Sequence, residues 1–226
     1  MNISKIIEET IGDINLLDRN DIPNIDLYMD QVTTFMEKHL SNTKRFEDDK
    51  VLTKTMINNY TKNDLIPPPD KKKYSKEHVL LLTLIYYFKN IMSINDIKKL
   101  LAPISEKYFQ SNKGMDLADV YEAVIDLETP TIGSTTKDME EKLNIAMNAF
   151  EDLPKREADY LRTYAFVSLL SFDIYLKKQV IESIIDSLDE PISKEEREKL
   201  AKKAKEEKEK ALKKAVKEAS KETKQQ

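Results

Sequence analysis

Apolar side chains in this 226-residue chain recur at helical spacing over most of its length. Between residues 28 and 40, apolar residues stand every three or four positions, which places them on one face of an α-helix. Similar stretches occupy residues 3–14, 53–63, 94–101, 117–125 and 139–153. The alternation of a β-strand is missing apart from a possible short hairpin in the proline–lysine segment at 67–74. The sequence therefore predicts an all-α, or nearly all-α, protein.

Capping residues predict where several of these helices begin. Thr53 opens a short helix that ends at Asn63, and Ser75 is the N-cap of a helix that is apolar on nearly all sides. Ser93 with Asp96 three residues later forms a capping box that opens another helix. These signals divide residues 53–101 into three helices joined by short polar connections.

Prolines predict where other helices end. Pro103 is expected to stop the helix that begins after Ser93, and a loop at Pro130–Gly133 is expected to separate two helices of the second half. Pro154 suits the first turn of a long helix that runs to about Leu188. That helix is apolar almost all round from Tyr160 to Leu176, which is typical of a central bundle helix or an oligomer interface.

Composition excludes several classes of function. The chain has no Cys, which rules out disulfides, thiolate metal sites and a cysteine nucleophile, and its two histidines, His39 and His78, are too few for a multi-histidine site. Three Gly leave no room for a dinucleotide-binding or phosphate-binding glycine loop. The first residues lack a signal peptide, and the longest apolar run is shorter than a membrane span. We therefore expect a cytoplasmic protein that is not an enzyme and binds no cofactor or metal.

Charge is distributed unevenly along the chain, although the net charge is only −4. Residues 42–89 contain ten basic and six acidic side chains, and residues 191–226 contain thirteen basic and eight acidic ones. The remainder is strongly acidic. A basic island within an acidic protein predicts an anionic partner more clearly than the net charge does.

The basic island contains a candidate site for double-stranded DNA. Asparagine can pair with an adenine edge, and lysine or threonine suits phosphates, so the short helix at 53–63 is a candidate recognition helix and the lysine-rich loop after it a candidate wing. Two tyrosines beside these elements have hydroxyls that could reach phosphates, and two basic residues before them could brace the DNA. The candidate contacts are Lys54, Thr55, Asn58, Asn59, Tyr60, Lys62, Lys71, Lys72, Lys73, Tyr74, Lys44 and Arg45.

The order of motifs in residues 27–101 resembles a known family. The motifs are Met56-Ile57-Asn58-Asn59-Tyr60, Leu65-Ile66-Pro67, Lys72-Lys73-Tyr74-Ser75 and Ser93-Ile94-Asn95-Asp96-Ile97. In this order they resemble the MerR-type winged helix-turn-helix, and the segment also looks like a bacterial family catalogued as a domain of unknown function. The MerR family has Arg where Asn58 and Lys72 stand and Gly where Asp64 stands. The resemblance implies a winged-helix DNA-binding domain at 27–103.

The resemblance and the charge pattern together predict a sequence-specific transcription regulator, with repression favoured, that works on the bacterial nucleoid. Residues 1–26 would form an N-terminal helical segment, and residues 104–190 a helical bundle domain for dimerisation or regulation. Residues 191–226, rich in Lys, Glu and Ala, would form an exposed, fraying helical tail. A homodimer through the C-terminal helices is expected because two half-sites multiply specificity. The alternative is a helical protein-interaction or adaptor module that binds an acidic partner and no DNA.

Overall fold

The computed structural model of the chain describes residues 2–188 apart from 13, 15, 112 and 113. This part is mostly helical, as the periodicity predicts, and the predicted tail at 191–226 lies outside it. One short antiparallel strand pair is present, between β1 (Leu27–Tyr28) and β2 (Lys73–Tyr74). The helices are α1 (Ile3–Gly12), α2 (Met29–Leu40), α3 (Lys54–Lys62), α4 (Lys76–Phe88), α5 (Ile94–Tyr108), α6 (Leu117–Met147) and α7 (Lys155–Asp186).

The larger of two hydrophobic cores is built around α4. Residues 78–86 of this helix are all buried, which explains why its sequence is apolar on nearly every side. Helix α2 packs its buried stripe of Val32, Met36 and Leu40 into this core, and α3 contributes Ile57 and Tyr60. The helix beginnings predicted at Thr53, Ser75 and Ser93 are confirmed.

A hydrogen-bonded clamp fastens the segment before β1 to this core. The buried hydroxyl of Tyr121 on α6 donates to the Leu17 carbonyl at 2.6 Å, and the Leu17 amide donates to the Tyr87 hydroxyl at 3.4 Å. Two residues further on, the Arg19 guanidinium pairs with Asp119 at 3.0 Å and with Glu122 at 2.7 Å. The start of the segment is therefore held against the first turns of α6.

Helices α6 and α7 form a long antiparallel pair that leaves the larger core and returns to it. At 31 and 32 residues, each is about 45–50 Å long. Away from the larger core, they enclose a second, smaller one with α1, whose buried residues are Ile7, Leu143, Ala146 and Phe166. The end of α7 comes back to the larger core, where Ile185 is buried and the Lys178 ammonium donates to the Ile91 carbonyl at 3.0 Å.

Two predicted helix ends are wrong, because both prolines lie inside continuous helices. Pro103 lies within α5 and Pro130 within α6, where the Pro130–Gly133 loop was expected. Each proline removes one backbone hydrogen bond from its helix, but both prolines are exposed, so their rings displace no packed side chain. Packing on both sides of the proline outweighs that loss, since α6 is anchored in the larger core at Tyr121 and in the smaller core at Leu143.

The prediction of α7 as a central bundle helix is also wrong. Within the described chain α7 packs against α6 and, toward its end, α5. Much of its apolar surface faces outward as a result, including Tyr160, Phe172 and Ile174, each more than 60% exposed. The other half of that prediction, an oligomer interface, stays a prediction. Among the described residues, every helix is too short or too polar to cross a membrane.

Candidate nucleic-acid interface

The outer face of α3 is a polar surface that the rest of the fold leaves open. Met56, Ile57 and Tyr60 turn inward, because apolar residues at this spacing share one side of a helix. The opposite side carries five exposed candidate residues, Lys54, Thr55, Asn58, Asn59 and Lys62. Apart from Lys54, whose ammonium pairs with Asp30, their side chains make no hydrogen bond or ion pair with the described part of the chain. Four side chains are thus available to a partner.

Helix α3 ends in a left-handed turn at Asp64. The Leu65 amide donates to the Tyr60 carbonyl at 2.8 Å, and the Asp64 amide donates to the Thr61 carbonyl at 3.2 Å, which is the Schellman pattern of a helix end. Asp64 has φ of 55°, the region that favours glycine. Glycine would adopt this conformation at lower cost, so Asp64 keeps the turn geometry with a less suitable residue.

The proline–lysine segment forms a tight turn that presents two lysines to solvent. Lys71 and Lys72 have φ of 46° and 66°, and the Lys73 amide donates to the Asp70 carbonyl at 2.8 Å, which together define a type I′ hairpin turn. The predicted short hairpin is therefore present. Both turn lysines are exposed, and neither side chain has a partner among the described residues.

Contacts at both ends of α3 tie this turn to the helix. At the helix start, Lys54 pairs with Asp30, two residues after Tyr28, and the Lys73 ammonium lies 5.5 Å from the centre of the Tyr28 ring. At the helix end, Tyr74 interacts with the Thr61 side chain. The open face of α3 and the turn are thus connected through β1, β2 and the start of α2, and we call their exposed side chains together the α3–turn surface: Thr55, Asn58, Asn59, Lys62, Lys71 and Lys72.

Tyr28 is exposed beside this surface, although the sequence places it in the apolar stripe of α2. It lies in β1 as the residue before the helix, and it is 54% exposed. Sequence spacing alone could not distinguish the first residue of the stripe from the cap before it. Neither Tyr28 nor Asp30 was among the predicted contacts, because only strand pairing and the fold of α3 bring them to Lys73 and Lys54.

The remaining candidate residues serve the fold more than the surface. The Lys44 side chain is 14% exposed, and its ammonium pairs with Glu37 at 2.7 Å and donates to the Glu47 carbonyl at 2.9 Å. The hydrogen bond from Lys44 holds the pKa of Glu37 below its usual value. Arg45 is exposed, with its guanidinium 5.3 Å from the centre of the Phe46 ring.

The two candidate tyrosines are buried. Tyr60 and Tyr74 expose only 7% and 3% of their surface, and burial raises the pKa of both hydroxyls. They position α3 and β2 against the core, as their packing role at the edge of the domain predicts. Their hydroxyls would need the surrounding packing to open before they could reach a phosphate.

A buried histidine lies directly beneath the turn. The Nδ1 atom of His78 accepts a hydrogen bond from the Ser75 amide at 3.0 Å and so caps the start of α4. The ring lies edge-on to Tyr74 and Phe109, and its Nε2 atom is buried without a partner in the described chain. Burial is the main cause that lowers the pKa of His78. The predicted packing role of this residue is confirmed.

In the described residues, no group of three or more His, Asp or Glu is arranged to hold a metal ion. A cavity of about 520 Å³ opens between the start of α1 and the facing ends of α6 and α7, lined in part by Leu143, Met147, Asp159 and Tyr160.

Comparison with known proteins gives one match. Residues 17–124, just under half of the chain, match the model of a family described as a domain of unknown function (DUF1836). The matched segment begins at Leu17, on one side of the clamp, and ends three residues after its partner Tyr121. Neither a curated protein nor a solved structure matches the chain.

Proposed function

We propose that this chain is a sequence-specific DNA-binding regulator of transcription that reads DNA with α3 and holds the phosphate backbone with the turn at 70–73. The observation that carries the proposal is the α3–turn surface, whose amide, hydroxyl and ammonium groups are exposed and have no side-chain partner among the described residues. Asparagine and lysine side chains of this kind can bind base edges and phosphates.

The dimensions of α3 suit the major groove of DNA. A helix with its side chains is about 10–12 Å in diameter, which fits the roughly 12 Å width of the groove, and the nine residues of α3 give it a length of about 13 Å. Asn58 and Asn59 lie in the middle of its exposed face, where their amides can pair with base edges. Lys62 and Thr55 flank them on the same face, at positions that reach toward the phosphates.

The ion pairs of the region assign different roles to its lysines. Lys71 and Lys72 can neutralise phosphates at little cost, because their ammonium groups are exposed and have no partner among the described residues. Lys54 must first leave Asp30, and Lys44 must leave Glu37, so these two contribute less to binding. We therefore assign phosphate contacts mainly to Lys71, Lys72 and Lys62.

The proposal can be tested by measuring DNA affinity with fluorescence anisotropy at several salt concentrations. The DNA is a sequence that the protein selects from a random pool. The double variant Lys71→Gln/Lys72→Gln should weaken binding to all sequences alike and reduce the slope of log K against log salt by about 2, since each phosphate contact contributes roughly 0.9. Asn58→Ala and Asn59→Ala should instead reduce the preference for the selected sequence, by about 1–3 kcal/mol for a bidentate contact.

The matched control is Lys137→Gln/Lys155→Gln, which removes the same charge from two exposed lysines on α6 and α7. It should change the salt slope much less than the turn variant does. Equal slopes for the two double variants would refute the assignment of the turn. No retardation of any DNA at moderate salt would refute DNA binding itself and favour the adaptor alternative.

A further inference from the structure

Helix α7 carries an apolar stripe that the described chain leaves open. Five of its six members repeat with the alternating four- and three-residue spacing of a coiled-coil seam, from Tyr160 to Ile174. At about 100° per residue, all six lie within an arc of about 100° on one side of the helix. The five apolar members are between 54% and 72% exposed, and the serine is exposed as well. We call these residues the open stripe: Tyr160, Tyr164, Val167, Ser171, Ile174 and Tyr175.

Helix α6 packs on the side of α7 that faces away from the open stripe. On that side Phe166 is buried in the smaller core. The Arg162 guanidinium donates to the Ala149 carbonyl, just after α6, at 2.9 Å. Asp173 pairs with Lys142 of α6 at 3.6 Å. A second helix can therefore approach the open stripe without meeting α6.

The same seam continues toward the end of α7, and there the protein's own larger core covers it. The next positions of the spacing are Lys178, Ile181 and Ile185. Ile185 is buried in the larger core, and Ile181 packs against that core. The Lys178 ammonium donates to the Ile91 carbonyl at 3.0 Å. One half of the seam is therefore packed, and the other half leaves side chains of the same spacing in water.

We propose that the open stripes of two copies of this chain pack together as an antiparallel pair of α7 helices. The covered half of the seam sets the direction. In a parallel pair, the two larger cores would lie on the seam side at the same end and compete for one space. In the antiparallel pair they lie at opposite ends, each beyond the start of the other copy's helix, and the contact has twofold symmetry.

Side-chain sizes favour one register for this pair. With the twofold axis midway between Tyr164 and Val167, each Tyr164 faces Val167 of the other copy and each Tyr160 faces Ser171. All four layers then join a large side chain to a smaller one, which lets the layers interdigitate. The Ser171 hydroxyl donates to the Val167 carbonyl of its own helix at 2.7 Å, so it brings no unpaired polar group into the seam.

The length of the open stripe favours the same register. Lys155, the first residue of α7, comes opposite Leu176 of the other copy, two residues before Lys178 and the larger core. The chain that precedes Lys155 leads back to α6, which lies on the far side of α7. Sliding the pair by seven residues would bring Lys155 opposite Ser183, where the larger core covers the seam. The register set by side-chain size is thus also the one that the larger core leaves room for.

The open stripe has the area of a small specific interface. At roughly 150–250 Å² for a whole aromatic side chain, its three tyrosines together with Val167 and Ile174 expose on the order of 600 Å² per copy. Specific interfaces bury upward of about 600 Å² on each partner, and monomers rarely leave a larger apolar patch in water. Half-buried Leu161 and Leu170 flank the stripe on its two sides and add to this area. We therefore expect a dimer that dissociates on dilution.

Sedimentation velocity on the full chain, at concentrations from about 1 to 100 μM, tests the dimer. The wild-type protein should be dimeric at the upper end of this range. Val167→Lys introduces a charge beside the axis from each copy and should raise the dissociation constant by about a hundredfold or more. The matched control is Val180→Lys, which makes the same change on the side of α7 away from the open stripe and should leave the dimer intact. The two valines are similarly exposed, at 55% and 58%.

Both variants should fold, because both valines are exposed in the single chain, and circular dichroism should show the helix content of the wild type for each. A wild-type chain that is monomeric at every concentration would overturn the proposal and leave the open stripe to a different protein. Equal weakening of the dimer by Val167→Lys and Val180→Lys would overturn it too, because the interface would then not lie on the stripe.

Cross-linking tests the orientation, since the chain has no cysteine of its own. Arg156→Cys and Lys177→Cys lie on one flank of the open stripe, at its two ends. The proposed register brings each within a helical turn of the other across the seam and leaves each about 30 Å from its own counterpart. A short bismaleimide should therefore link the two variants when they are co-expressed and should link neither to itself. Self-linked Arg156→Cys would show a parallel pair and overturn the proposal. These results do not depend on DNA, so the dimer and the DNA-binding proposal can fail separately.

Discussion

Replacing Tyr121 with Phe tests whether the clamp at Leu17 holds the matched segment together. The substitution keeps the ring and removes only the hydroxyl, which donates to the Leu17 carbonyl at 2.6 Å from a residue that is 1% exposed. Leu17 is itself buried, so no water replaces the lost donor. The variant thus measures one buried hydrogen bond and the carbonyl it leaves behind.

The expected cost follows from that burial. A typical hydrogen bond contributes about 1 kcal/mol, and a buried acceptor left without a partner costs about 1–3 kcal/mol, so we expect a loss of about 2 kcal/mol in the free energy of unfolding. For a chain of this size, this corresponds to a fall of about 4–8 °C in the melting temperature. Amide hydrogen exchange should rise mainly in residues 17–22, because this segment lies next to the lost bond and outside any helix or strand.

Circular dichroism measures the fall in melting temperature, and hydrogen exchange locates the residues that lose protection. The control is Tyr28→Phe, which removes a hydroxyl from a tyrosine that is 54% exposed and should change the melting temperature by less than about 1 °C. A loss below about 0.5 kcal/mol for Tyr121→Phe, or exchange that rises uniformly across the chain, would show that the clamp does not hold the segment.

Two further predictions concern stability. Gly133→Ala should stabilise the protein by about 0.5–1 kcal/mol, since a Cβ at this position in α6 meets nothing within 4 Å; a lower denaturant midpoint than wild type would contradict the helical assignment there. His78 has a folded-state pKa below its unfolded value, so the unfolded state binds protons first and stability should fall as pH drops below about 6.5. His78→Gln keeps an acceptor for the Ser75 amide without titrating, and its stability should change less between pH 6.5 and 5; parallel profiles would exclude His78 as the cause.

The sequence predicts the fold best where local signals and packing agree. The apolar stripe of α2 and the caps at Thr53, Ser75 and Ser93 act within one or two turns, so they could be located without the structure. Pro130 misled the prediction because its local cost is opposed by Tyr121 and Leu143, which are buried in the two cores more than two turns away on either side. Pro103 misled it because α5 packs Leu101 before the proline and Ile104 after it against the larger core.

In the candidate site, too, local features could be predicted from the sequence and contacts between distant residues could not. The exposed residues of α3 follow from their spacing, and the prolines before Asp70 predict a turn. The positive φ of Lys71 and Lys72 could not be foreseen, because a type I′ turn favours asparagine and glycine. The partner of Lys44 could not be foreseen, because Glu37 lies on α2 and meets Lys44 only when the chain folds back after that helix. Pairing of Lys54 with Asp30 likewise depends on how α2 and α3 pack.

The clamp also has a consequence for the order in which the protein folds. Leu17 and Tyr121 are 104 residues apart, and Lys178 meets Ile91 across 87 residues, whereas α6 and α7 are neighbours in the chain. Contacts between distant residues form slowly because a long loop must close first. During synthesis, the larger core stays incomplete until α6 has emerged and the end of α7 has returned to it. We expect the α6–α7 pair to form early and the closure at Leu17 to be a late step of folding.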